Sequence, residues 1–333
     1  MSFKICVIGC GGIARLAHGN AYKKYACLHK AAVLAACCDI EAEKAETFKN
    51  EYGFERSYSD YRLMLEKEQP NAVCLNVPVH LTARLSASIL EKGYPLLLEK
   101  PPGVNKQELA MIMRAAEKSK APHMVAFNRR FTPVIEALYN KIHGIYQKSE
   151  IQNIGCEFFR VGRTDDDFST TSIHGIDTVR HLAGCVYESA DFFYQNVPRY
   201  GGNVRNVVMQ CALTSGAAAT LRFMPMCGVT IERYTVNVGQ STFVLKLPWE
   251  GSIDKPGGIT EYAGGKKVFE LSGAELSGPE FYESNGFYRE NEIFFDAIQN
   301  GGRLDCDVYS AVQSVEIAEC IRLRKPFYQR GNT

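Results

Sequence analysis

Residues Lys4 to Ala14 constrain this chain more than any other stretch. Lys4-Ile5-Cys6-Val7-Ile8 is a short apolar run, it breaks into Gly9-Cys10-Gly11-Gly12-Ile13-Ala14, and an alanine-rich segment of helical character follows from Arg15. A buried strand, a glycine turn and a helix start, in that order, are the setting a dinucleotide fingerprint needs. Gly9 lets the chain turn sharply. Gly11 has no side chain, so a pyrophosphate can approach the backbone. The N–H groups at the helix start, through Gly12 and Ile13, then face an anion. Ala14 is the third small position, where helix and strand pack closely. A second apolar run, Ala31 to Cys38, ends in Asp39, whose carboxylate suits the hydroxyls of an adenine ribose. Ile40 offers no cation for a 2′-phosphate, so NAD is the expected cofactor. Arg56 or Lys44 within reach would make NADP the alternative.

At 333 residues the chain is long for one core, which points to two domains. A formal net charge of +1 gives no electrostatic case for a nucleic-acid or acidic partner. The start carries no signal-peptide pattern and no apolar run reaches membrane-spanning length. The 12 cysteines are scattered, many inside apolar runs, with no C-x-x-C pair. That argues against a zinc ribbon or redox pair and for buried thiols in a reducing cytoplasm. No metal site is expected.

From residue 1 to 125, apolar runs alternate with amphipathic segments. Strands are expected at Ala31–Cys38, Ala72–Val77, Pro95–Leu98 and Met124–Phe127. Helices are expected at Glu41–Tyr52 (stopped by Gly53), Tyr61–Lys67 (capped by Ser59-Asp60), Leu81–Lys92 and Gln107–Ser119. This alternation predicts an α/β fold with a doubly wound parallel sheet, in which ligands bind beyond the carboxyl ends of the strands. Gly9, Asp39, Asn76, Pro78, Glu99, Lys100 and Asn128 all fall at such ends. From 126 to 333 the texture changes to α+β. A helix near Val134–Ile142, a strand at Ile154–Val161 and a helix at Thr171–Leu182 come first. Strand-like runs follow, with Gly-rich turns near Gly201-Gly202 and Gly257-Gly258, then two closing helices, Glu290–Ile298 and Tyr309–Ile321. The sheet should be large, open and mostly antiparallel. The last helices are candidates for packing back on the first domain.

Two constellations carry chemistry. Lys100 follows a strand, two prolines stiffen the turn after it, and Glu99 is placed to hold its ammonium. In His174-Gly175-Ile176-Asp177-Thr178-Val179-Arg180-His181, Asp177 and His181 share a helix face at i and i+4. A histidine oriented by a carboxylate is a proton acceptor near neutral pH. The plain alternatives are a solvated lysine and a structurally satisfied His–Asp pair.

Together, Gly9-Cys10-Gly11-Gly12-Ile13-Ala14, Glu99-Lys100-Pro101, Asn128-Arg129-Arg130-Phe131 and His174-x-x-Asp177-x-x-x-His181 resemble the successive signatures of the Gfo/Idh/MocA oxidoreductases, over nearly the whole chain. The resemblance implies a Rossmann domain, a second α/β domain whose open sheet forms homodimer or homotetramer contacts, NAD(H) or NADP(H), and a sugar, cyclitol or related polyol substrate. It makes Lys100, Asp177 and His181 the catalytic set, with Lys100 and His181 serving one substrate oxygen. Asn128, Arg130, Arg163 and His174 become candidates for holding substrate. The segment Val77-Pro78-Val79-His80-Leu81-Thr82 departs from the family pattern, as does Thr170-Thr171-Ser172, and both departures bear on substrate identity. A dinucleotide-binding regulator without turnover and an NAD-dependent glycosidase-like enzyme are the alternative functions.

Overall fold

Six short strands in the first part of the chain build one parallel sheet. β1 (Phe3–Ile8) is followed by a π-helical turn (Ala14–His18) that runs into α1 (Gly19–Leu28). Then come β2 (Ala32–Cys38), α2 (Ala42–Tyr52), β3 (Arg56–Tyr58), α3 (Tyr61–Glu68), β4 (Ala72–Leu75), α4 (Val79–Glu91), β5 (Leu96–Glu99), α5 (Lys106–Ser119) and β6 (His123–Ala126). The computed structural model describes residues 2–331. The strand order is β3-β2-β1-β4-β5-β6, parallel throughout, so the expected doubly wound sheet is present. Every residue of β4, β5 and β6 is buried, as continuous apolar strands covered on both faces must be. Local signals end the helices where they should. Gly53 takes φ +84° after α2, and the Asp60 carboxylate accepts the Arg62 N–H at 2.8 Å to open α3.

The strand order reverses between β1 and β4, where sheets of this kind take ligands. Ile8 pairs with Cys38 on one side and Leu75 on the other. The residues that follow, Gly9, Asp39 and Asn76, therefore lie side by side. The Gly9 N–H donates to Cys38 O at 2.8 Å and the Asn76 N–H to Ile8 O at 2.8 Å.

This unit is not one continuous piece of chain. It takes in residues up to Asn128 and then Gly286–Val315, where the sequence predicted a single division at 125/126. The returning segment carries α9 (Phe287–Asn300) and the start of α10 (Val308–Arg322). Phe287, Phe294 and Phe295 are buried, and the Phe295 ring lies 4.9 Å from that of Tyr25 and 6.0 Å from that of Phe3.

The second unit spans Arg129–Asn285 and the chain from Glu316 on. It contains α6 (Pro133–Ile145), β7 (Ile151–Phe159), α7 (Ser169–Ala183), β8 (Tyr187–Asn196), β9 (Arg205–Leu213), β10 (Ala218–Met224), β11 (Ile231–Val238), β12 (Ser241–Lys246), β13 (Gly258–Ala263), β14 (Lys266–Ser272), α8 (Phe281–Ser284) and β15 (Phe327–Gln329). Its nine strands run β14-β13-β12-β11-β7-β10-β9-β8-β15. Only β7 and β10 pair in parallel, so the sheet is mixed and largely antiparallel. Burial alternates along β9 and β11, which means one face is covered and the other is not. On the covered side α7 buries Ile173, Ile176, Val179 and Leu182. It approaches so closely that a Cβ on Gly175 would sit 2.8 Å from the Phe223 ring.

Candidate active site

The glycine turn combines a forced backbone conformation with open space beside it. Gly9 needs its φ of +93°, and any Cβ there would lie 2.2 Å from Asn76 O, so only glycine fits. Gly11 and Gly12 are different: a Cβ on either meets nothing within 4 Å. The space beside them is open, and the first helical N–H groups after them have no intrahelical acceptor. Ala14 is fully buried, closing the helix onto the sheet. Asp39 faces the same turn. One carboxylate oxygen accepts the Cys10 N–H at 2.9 Å and the other the Glu41 N–H at 3.0 Å. Each carboxylate oxygen keeps a further acceptor site, so Asp39 both braces the turn and can serve ribose hydroxyls. The residues present therefore fit a dinucleotide pyrophosphate and its adenine ribose. Ile40 is 87% exposed. The two cations that sequence offered for a 2′-phosphate are otherwise engaged. Arg56 forks onto Glu68 at 2.5 and 2.7 Å, and Lys44 pairs with Glu41 at 2.5 Å.

At the end of β5, the Glu99 carboxylate does not clasp the Lys100 ammonium as sequence suggested. Its Oε1 meets His18 Nε2 at 2.8 Å and its Oε2 accepts the Lys100 main-chain N–H at 3.0 Å. Glu99 is buried, Lys100 is half-buried, and the Lys100–Pro101 peptide is cis. Asn76 donates from Nδ2 to the Tyr22 hydroxyl at 3.0 Å. Pro78 caps the start of α4, and Asn128 is buried.

In the second unit, the turn after β6 places two arginines on two buried carboxylates. Arg130 forks onto Asp177, Nε to Oδ2 at 2.7 Å and Nη2 to Oδ1 at 2.6 Å, and Arg180 lies 3.5 Å from the same carboxylate. Arg129 reaches Glu232 at 3.1 and 3.3 Å, beside Arg160 at 2.6 Å and the Tyr234 hydroxyl at 3.1 Å. The Trp249 ring lies 4.1 Å below the Arg129 guanidinium. Burial pushes the Asp177 carboxyl up, but the Arg130 charge and bonds, then Arg180, outweigh it and leave its pKa below the ordinary value.

This corrects the expected Asp177–His181 pair. Among the described residues no hydrogen bond joins the two. His181 instead stacks on Tyr139, with ring centroids 4.5 Å apart and an interplanar angle of 12°. Its pKa falls to about 4 because burial, then the Arg130 cation, outweigh the Asp177 charge that would raise it. The imidazole is therefore uncharged at neutral pH. His174 is buried with Nε2 3.5 Å from Arg129 Nη1. Arg163 forks onto Asp165 at 3.1 and 2.7 Å and reaches Thr171 at 3.3 Å, so this substrate candidate is occupied within its own loop. Sequence reasoning missed His18 and Tyr139. The available signal for His18 was a polar residue four positions after buried Ala14, on the face of the helix that packs inward.

Among the described residues no group of three or more His, Cys, Asp or Glu is placed to hold a metal ion, and no helix is long and apolar enough to cross a membrane. All twelve cysteines are free thiols.

Comparison with known proteins agrees with this geometry. Residues 3–127 match the model of the Gfo/Idh/MocA oxidoreductase family, NAD-binding Rossmann fold. A levoglucosan dehydrogenase of Pseudarthrobacter phenanthrenivorans is 33% identical over 97 residues, 29% of this chain and 24% of that protein. A D-apiose dehydrogenase of Paraburkholderia graminis is 28% identical over 136 residues, 41% of this chain and 35% of that protein. The chain thus spans well under half the length of these curated relatives. Among solved structures, an oxidoreductase domain protein from Kribbella flavida superposes with a TM-score of 0.82 at 14% identity, covering 98% of this chain and 99% of that one. A levoglucosan dehydrogenase in complex with NADH superposes with a TM-score of 0.80 at 18% identity, covering 99% of each chain. At such identities these structures speak for the fold alone, over both units. Residues 3–127 thus carry the match to the Gfo/Idh/MocA oxidoreductase family and its NAD-binding Rossmann fold.

Proposed function

We propose that the protein is an NAD-dependent dehydrogenase acting on a secondary alcohol of a sugar, cyclitol or related polyol. The observation that carries this reading is the open turn at Gly11 and Gly12, braced by Asp39 and lying within the matched region. Gly11, Gly12 and Ile13 would present main-chain N–H groups to the pyrophosphate, and Asp39 would accept the ribose hydroxyls. Arg56 and Lys44 each pair with a carboxylate, which supports NAD over NADP. Asn76, Pro78 and Asn128 belong to the same strand ends. When bound, the nicotinamide supplies the acceptor for a hydride. Lys100 holds the reacting oxygen and stabilises charge on it. His181, uncharged at neutral pH, takes the hydroxyl proton. Asp177 sets the field around His181 rather than bonding it. Arg130 serves the carboxylate of Asp177, which leaves His174 and Asn128 as the better candidates for substrate hydroxyls.

The names of the relatives, both sugar dehydrogenases, support a carbohydrate substrate. The open sheet face supports a homodimer or homotetramer, and the free thiols support a reducing, cytoplasmic setting.

The test is a panel of sugars and polyols offered with NAD or NADP, followed at the nicotinamide absorbance. Lys100→Met is expected to lose turnover by at least about a hundredfold while keeping NADH binding by calorimetry. Unchanged turnover removes the mechanism, and tighter binding of NADPH than NADH removes the cofactor choice.

A further inference from the structure

Three buried side chains behind Lys100 form a hydrogen-bonded chain that neither the fold nor the family description assigns. Glu99 Oε1 lies 2.8 Å from His18 Nε2. The other ring nitrogen, Nδ1, lies 3.1 Å from Asn291 Nδ2 on α9. Asn291 Nδ2 also donates to Phe287 O at 2.7 Å. His18 and Asn291 have no exposed surface, and Glu99 is 7% exposed. The His18 ring is held edge-on by Phe287 at 5.2 Å and face-on by Tyr22 at 5.8 Å.

The direction of each bond follows from chemistry. A carbonyl oxygen only accepts, so the Phe287 carbonyl fixes the Asn291 amide with its NH₂ toward both Phe287 and His18. Flipping the amide would set two oxygens against each other. The Asn291 Oδ1 atom is itself buried and has no hydrogen-bond partner among the described residues, so its orientation is imposed by the Nδ2 side. An NH₂ facing His18 Nδ1 requires a lone pair there. The ring proton then sits on Nε2 and donates to Glu99. The remaining Glu99 oxygen, Oε2, accepts the Lys100 main-chain N–H at 3.0 Å.

We infer that His18 and Asn291 are positioning residues. Asn291 holds His18 in its Nε2–H tautomer, His18 orients the Glu99 carboxylate, and Glu99 fixes the backbone from which the Lys100 side chain leaves the sheet. The single ring proton leaves the carboxylate charge beside Lys100 uncancelled, where an imidazolium would neutralise it. The role in turnover rests on the proposed catalytic use of Lys100.

Nitrogen-15 NMR of the histidine rings in the intact protein, with His18 assigned by its absence in His18→Gln, reads the tautomer without any turnover. The expected result is one proton, on Nε2, at neutral pH, and a shift toward mixed tautomers in Asn291→Leu. In kinetics, Asn291→Leu and His18→Leu are expected to lower kcat about tenfold or more with the KM for NAD within about twofold. His18→Gln, which keeps a donor for Glu99, should recover part of that loss. A doubly protonated ring, a proton on Nδ1, or unchanged kcat in Asn291→Leu overturns the inference. Should His18→Leu not fold, His18→Gln and Asn291→Leu decide. A wrong tautomer in a protein that Lys100→Met inactivates overturns this inference alone. Full turnover in Lys100→Met overturns the catalytic reading and this one together.

Discussion

His181 shows how far a single residue's chemistry depends on neighbours distant in the chain. Its ordinary pKa of 6.5 falls to about 4 through burial and the Arg130 cation. A group whose proton is disfavoured in the native state costs stability where the unfolded chain holds that proton and the folded one does not. Above pH about 6.5 both states are neutral and there is no penalty. As pH falls from about 6.5 to about 4 the penalty grows, and below the folded value it is complete. For this partly exposed ring we expect a loss of ~2 kcal/mol over that window, removed largely in His181→Gln. Urea melts of both proteins at pH 7 and pH 4.5 measure it, and equal pH dependence in the two would exclude His181 as the source. The i,i+4 spacing of Asp177 and His181 was plain in the sequence, but spacing only grants adjacency on a helix. The carboxylate went to Arg130 because a planar guanidinium can fork onto both oxygens at once, and that approach is set by the turn after β6.

At the scale of elements, most of the chain announced itself. The strand–helix alternation of the first unit, the Gly53 stop, the Asp60 cap and the long helix around Asp177 all follow local rules, and the structure has them within a few residues. The short strands β3 and β15, three residues each, did not announce themselves. Three residues carry too little periodicity to distinguish a strand from a loop, and pairing alone makes them strands. Gly175 is the converse case, a glycine inside a helix that local propensity disfavours. Its place is explained by the Phe223 ring and the Cys156 sulfur, 2.8 and 3.3 Å from where a Cβ would stand. Phe223 is fully buried. Gly175→Ala should gain about 1 kcal/mol in helix propensity and lose about 1–3 kcal/mol to overpacking. The net expectation is a protein destabilised by roughly 1 kcal/mol, read from a denaturant midpoint. A stabilised variant would mean that α7 lifts freely from the sheet.

At the scale of the whole molecule, two matters stand out. The first unit is completed by a segment that returns after residue 285, bringing Phe295 against Phe3 and Tyr25 and Asn291 against His18. The sequence offers its closing helices for that return, but nothing local in it marks which residues they meet there. The second matter is the outward face of the nine-stranded sheet, where Val208, Gln210, Thr220 and Thr235 line a shallow depression beside the Glu157–Arg222 pair. Phe193 on the neighbouring β8 is 67% exposed. A face of this breadth is expected to be covered by a second copy. Sedimentation velocity should give a dimer or larger species, and Val208→Asp should drive it toward monomer with its circular dichroism unchanged. A monomeric wild-type protein would exclude that use of the face.

The amino-acid sequence by itself determined the first sheet, the glycine turn and the identity of the residues at the strand ends, because each follows from periodicity and from conformations few residues can adopt. Only the tertiary structure decided which charged and polar groups meet: Arg130 with Asp177, Arg56 with Glu68, His18 with Glu99 and Asn291. Those pairings join residues far apart in the chain. Once buried, a polar group takes whichever partner the packed elements bring within reach, and that is fixed by the fold rather than by local spacing.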